Sequence, residues 1–155
     1  MNTHIIVPLA ILLGALAPPV PTGADTAAGE AKKYAGAWEA KFDGTVFSVL
    51  KVQADGGSIT GSLKAGNVGV DRDGNLISAE PAEGEYPLIG PRIANGALLF
   101  EWTDDSADEP LKFEFRLTSS GTGELKFLTT PGNARIKPFV YARVGESRPP
   151  RDTQR

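Results

Sequence analysis

The sequence predicts an all-β fold: a single up-and-down antiparallel β-barrel of about eight strands, with a β-sandwich as the alternative. Three observations carry this expectation. Apolar and polar residues alternate with period two through the middle of the chain, and turn signals separate the runs at intervals of about ten residues. Glycine (18) and proline (12) are plentiful in 155 residues, while long helical stretches are hard to find. With 41% hydrophobic and 23% charged residues, the chain is long enough for one domain with a proper core.

The N-terminal run Ile5–Ala17 is apolar and is followed by "PPVPTGADTAAGEA". It is shorter than the ~20 residues that span a bilayer, so residues 1–24 read as a signal peptide rather than a retained anchor. Cleavage is expected after Ala24, with Thr22 at the minus-three position. The expected destination is the bacterial periplasm or the exterior. Residues 25–33 are small and polar and read as a linker; residues 145–155, "GESRPPRDTQR", read as a disordered tail. Residues 34–144 are left as the barrel.

Each strand has its own signature. "AWEAKF" puts Trp38, Ala40 and Phe42 on one face and Glu39, Lys41 and Asp43 on the other. After an Asp43-Gly44 turn, "TVFSVLKVQ" is apolar on both faces. The "ADGG" hairpin signal then leads to "SITGSLKAG", which turns Ile59, Gly61 and Leu63 inward. "RDGN" marks a hairpin between "NVGV" and "LISAE", and Asn95-Gly96 marks another between "PRIA" and "ALLFEWT". "LKFEFRL" places Phe113, Phe115 and Leu117 inward, "ELKFL" follows Gly121-Thr122-Gly123, and "ARIKPFVYARV" closes the fold. Pro138 within that last run requires an edge, a bulge or a corner. The segment Pro81–Gly96, with Tyr86 and Leu88, reads as a lid over the open end or as a long connection.

Gly36-Ala37-Trp38 at the start of the first strand, with Arg143 in the final one, resembles the calycin-type barrels, the lipocalins and avidin-like proteins. The resemblance extends loosely over residues 34–144 and includes small lipocalin-like domains of exported bacterial proteins. It implies a barrel floor built from Gly36, Trp38 and Arg143, with the basic side chain packed across the indole. The stretch "GAWEAKFDGTVFSVLKVQADGGSITGSL" is similar to the first three strands of an avidin-like barrel. Leu63, however, stands where those proteins present a biotin-contacting tyrosine, and Trp102 is the only other tryptophan. Biotin binding is therefore not implied.

Composition excludes several chemistries. The chain has no cysteine, and its single histidine is His4, inside the expected signal. The processed chain would lack thiol and imidazole, which removes Ser-His-Asp and Cys-His catalysis, disulfides and His/Cys zinc ligation. A net charge of -3 provides no basic field for nucleic acid or anionic lipid. "DDSADE" (Asp104–Glu109) and "DRDGN" lack the spacing of a calcium loop and read as turns. Glu101, Glu114 and Glu124 are candidates for a carboxylate pair, but the alternation sends Glu114 and Glu124 outward. Lys112, Arg116 and Lys126 make no basic stripe, because Glu114 and Glu124 interrupt it.

No catalytic residue, metal or cofactor is expected. The candidate site is the barrel interior itself: Trp38, Phe42, Leu63, Phe100, Trp102, Phe113, Phe115 and Phe127. Two partners fit such an interior and exterior. One is a small apolar ligand held by a non-catalytic binding module; the other is a second exported protein contacting a barrel with a filled core. Neither nucleic acid nor stable membrane insertion after processing is expected.

Overall fold

In the computed structural model, described over residues 23–145 together with Pro19, one α-helix and eleven strands follow in order, with a 3-10 turn at Pro131–Asn133 before the last strand. They are α1 (Gly23–Tyr34), β1 (Gly36–Phe42), β2 (Thr45–Asp55), β3 (Ser58–Ala65), β4 (Val68–Val70), β5 (Leu76–Ala79) and β6 (Glu83–Pro87). β7 (Ile89–Ala94), β8 (Ala97–Trp102), β9 (Leu111–Leu117), β10 (Thr122–Phe127) and β11 (Phe139–Arg143) complete the chain. The expected signal peptide and C-terminal tail lie almost wholly outside the described residues.

Nine strands form one antiparallel sheet in the order β6-β3-β2-β1-β11-β10-β9-β8-β7. Its two edges, β6 and β7, are consecutive in the chain and separated only by Leu88, whose N–H donates to Gly61 O at 2.9 Å. Counted as one bent strand, β6 and β7 reduce the nine to the eight of an up-and-down barrel, and the sheet is nearly closed. The segment Pro81–Gly96 is thus neither lid nor loose connection, because most of it is wall. Leu88 is buried for the same reason. A Cβ at Gly61 would stand 2.2 Å from Lys51 O and 3.0 Å from the Leu88 side chain, so only glycine lets the wall close there.

Turn chemistry sets the register. Asp43-Gly44 and Asn95-Gly96 both adopt positive φ at their two positions, the requirement of the two-residue turn that matches strand twist. β4 and β5 form a separate hairpin, whose turn is held by Asp71: its carboxylate accepts from the N–H groups of Asp73 (2.9 Å) and Asn75 (2.8 Å).

Strand direction gives the barrel two unlike ends. One end carries α1 and the turns at 56–57, 95–96 and 118–121; the other carries the β4–β5 hairpin and the connections 103–110 and 128–138. Residues 25–33, read as a linker, instead form most of α1. Alanine, glutamate and lysine dominate the segment, and these are strong helix formers. The helix then buries Ala31 and Tyr34 against the barrel end. Its small, polar composition concealed that contact face.

Trp38, Leu50, Leu98, Phe115, Leu125 and Tyr141 are essentially inaccessible and form the centre of the core. Outward charges pair over the wall: Lys51 of β2 reaches across β3 to Glu85 of β6 (3.0 Å), Lys112 meets Glu101 on the neighbouring β8 (3.7 Å), and Arg116 meets Glu114 two residues away on β9 itself (3.5 Å). Glu101 and Glu114 are thereby occupied on the outer face, and Glu124 is exposed beside them. Among the described residues, no helix is long and apolar enough to cross a membrane.

Candidate functional site

The helix end of the barrel is filled. Trp38 and Arg143 are direct cross-strand partners, and the guanidinium carbon lies 4.1 Å from the centroid of the Trp38 ring. The Trp38 indole N–H donates to Tyr34 O at 2.9 Å, and the Tyr34 hydroxyl donates to Gly96 O at 2.8 Å. Phe115 packs edge-on to both Trp38 and Tyr34. Gly36 has φ of +124°, and a Cβ there would lie 3.0 Å from Arg143 Nη1. The glycine therefore gives the backbone its turn out of α1 and leaves room for the guanidinium.

The opposite half is not filled. A cavity of about 290 Å³ opens between the walls of β2, β3, β8, β9, β10 and β11. Of the eight interior candidates, Leu63, Trp102, Phe113 and Phe127 line it; Trp38 and Phe115 belong to the floor, Phe100 stacks behind Phe113, and Phe42 is half-buried at the end of β1. The two tryptophans thus have different roles: one seals the floor, the other borders the open space.

Several cavity residues escaped sequence reasoning, chiefly Phe47, Ser48, Leu125, Phe139 and Tyr141. The cause at Phe47 is a β-bulge. Ala40 pairs with Ser48 and Lys41 pairs with Val46, so Phe47 is the extra residue, and Phe47 and Ser48 are both buried although adjacent. In a stretch apolar on both faces, alternation carries no record of such a shift. Phe139, just after Pro138, packs edge-on to Phe47 at 5.2 Å and to Phe127 at 5.3 Å. Phe127 and Phe113 meet at 4.8 Å, which makes the aromatic wall continuous.

One polar group interrupts this wall. The Tyr141 hydroxyl donates to Ser48 Oγ at 2.7 Å, and Ser48 Oγ–H donates to Lys64 O at 3.1 Å. Complete burial pushes the Tyr141 phenol above its ordinary range, against a smaller opposing effect of Ser48, so it stays neutral. Trp102 spends its indole N–H on Leu63 O at 3.1 Å. At the mouth, Asp104 accepts from Ser106 N–H (2.8 Å) and Ser106 Oγ (2.6 Å), which holds its carboxyl below the usual range and therefore ionised.

The mouth is covered in part by two segments that touch each other. Val68 of the β4–β5 hairpin and Pro131 and Ile136 of the 128–138 connection all line the cavity. Lys137 joins the two, through its N–H to Gly74 O (2.9 Å) and its ammonium to Asn75 Oδ1 (2.6 Å). Nothing in this lining pairs a nucleophile with a base, and Tyr141 and Ser48 are bound to one another and to a carbonyl. The arrangement can enclose a small molecule and offer it one polar contact. Compared with known proteins, the chain matches no protein-family model, no curated protein and no solved structure.

Proposed function

We propose that the chain is an exported, non-catalytic binding module whose barrel holds one small apolar ligand. The observation that carries this reading is the cavity of about 290 Å³, walled by aromatic side chains in a barrel whose other half is fully packed. Small-molecule sites are concave, mostly apolar and provided with few polar groups, and an eight-stranded barrel has an interior suited to a single such ligand. Burying a ring against Phe113, Phe127 and Phe139 would contribute about 25 cal/mol for each Å² of apolar surface removed from water. The resemblance of Gly36, Trp38 and Arg143 to the floor of calycin-type barrels supports the same reading.

The test is mass spectrometry of the purified protein, native and after organic extraction, with uptake of a hydrophobic fluorescent probe measured in parallel. A stoichiometric apolar adduct, or saturable probe uptake abolished by Leu63→Trp, supports the module. A clean apo mass with no uptake overturns it in favour of a structural barrel that meets another exported protein through its surface. The intact mass also reports whether residues 1–24 have been removed, as the expected cleavage after Ala24 predicts.

A further inference from the structure

The hydrogens of the cavity's polar pair are already committed, and this constrains what can bind. The carbonyl of Lys64 can only accept, so Ser48 Oγ–H is spent on it, and Ser48 Oγ must then accept from Tyr141. Tyr141 is wholly buried, so what remains toward the cavity is the second lone pair of Ser48 Oγ. A ketone, ether or ester finds no donor there. The Trp102 N–H is spent on Leu63 O, and Asn67 lies exposed at the rim, with one of its two amide hydrogens given to Glu80 at 2.8 Å. A carboxylate fares worse. It would leave water without gaining a donor from this pair, and the carboxylate of Asp104, the only charged residue among the described lining, would oppose it.

Size adds a second constraint. An apolar cavity of about 150 Å³ holds benzene. This one, at about 290 Å³, has room for two fused rings.

We infer that the ligand is a neutral molecule of about bicyclic size that presents a hydrogen-bond donor, a hydroxyl or ring N–H, to the lone pair that Ser48 Oγ keeps free while Tyr141 and Lys64 O hold its other bonds. The inference rests on the binding reading above and goes further by naming the ligand chemistry. It excludes fatty acids and other carboxylates, which an apolar cavity alone would admit.

The experiment measures the affinity of the purified protein, at neutral pH, for four probes of nearly equal shape: 2-naphthol, 2-methoxynaphthalene, naphthalene and 2-naphthoate. The net worth of one buried hydrogen bond predicts that 2-naphthol binds about three- to tenfold more tightly than naphthalene or 2-methoxynaphthalene, with 2-naphthoate weakest. Ser48→Ala frees the phenolic hydrogen of Tyr141 and should turn the preference toward 2-methoxynaphthalene. Tyr141→Phe combined with Ser48→Ala removes both hydroxyls and should leave the neutral probes within about twofold of one another. Circular dichroism confirms that each variant is folded. Equal binding of the neutral probes to the unaltered protein, or tightest binding of 2-naphthoate, overturns the inference and leaves the cavity standing as a site. Absence of binding by all four overturns the binding reading itself.

Discussion

Arg143 lies across the indole of Trp38 at 4.1 Å and at the same time ties the end of α1 to the barrel. Its guanidinium donates to Lys33 O (2.7 Å), to Ala35 O and to Ser120 O (3.0 Å). A planar fork that stacks and donates in three directions is a task for arginine, since the compact ammonium of lysine cannot occupy these positions together. Arg143→Lys should therefore destabilise the fold by about 1–3 kcal/mol in urea denaturation. Trp38→Ala should cost about 3–5 kcal/mol, as for other large core truncations. An Arg143→Lys variant as stable as the parent would mean that only the aliphatic stem of Arg143 matters.

The inner face of β10 contains a glycine for a reason that the register makes plain. Gly123 lies beside Leu117 and Tyr141, and a Cβ at this position would come within 2.7 Å of the Phe115 ring. Phe115 is wholly buried between Trp38, Tyr34 and Tyr141 and has nowhere to go. Gly123→Ala should destabilise by about 1–3 kcal/mol through overpacking, despite the better strand propensity of alanine. If the melting temperature rose instead, the ring would have to possess freedom that this packing denies it.

Much of the barrel is legible in the sequence because its turns and its half-buried strands obey local rules. Phe113 and Phe115 alternate with Lys112, Glu114 and Arg116, and Asn95-Gly96 can hardly be anything but a tight turn. The site is less legible because it depends on departures from those rules. The bulge that turns both Phe47 and Ser48 inward lies in a run with no polar residue on either side of them to mark the shift. Tyr141 and Ser48 are 93 residues apart, and only the pairing of β1 with both β2 and β11 brings them together. α1 went unread because its buried face consists of Ala31 and Tyr34, too little apolar surface to produce a helical stripe.

The buried phenol makes stability sensitive to alkaline pH. Tyr141 ionises above the ordinary phenol value of about 10 in the folded chain, chiefly because burial penalises the phenolate, whereas in the unfolded chain it ionises near that value. The unfolded state therefore loses a proton first, and stability present below pH 10 is lost as pH rises further. Each pH unit above 10 should cost up to ~1.4 kcal/mol from this group alone. Tyr34, also raised chiefly by burial, adds in the same direction. Urea titrations from pH 8 to 11 should show Tyr141→Phe declining less steeply than the parent protein, and parallel declines would refute the argument.

The contact between the two mouth segments should govern how readily the cavity opens. Gly74 has φ of +84°, and a Cβ there would stand 2.8 Å from Arg135 O, at the point where the β4–β5 hairpin meets the 128–138 connection. Gly74→Val would place a β-branched residue in a region that costs about 1–3 kcal/mol and would push the segments apart. The core lies elsewhere, so the global melting temperature should change little. Amide hydrogen exchange should accelerate by about tenfold or more in residues 68–79 and 134–137 while protection in β9 and β10 is retained. In stopped-flow measurements, a probe held in the cavity should leave correspondingly faster. Exchange and release rates equal to those of the parent protein would show that the segments do not act together as a cover, and that ligands enter by another part of the rim.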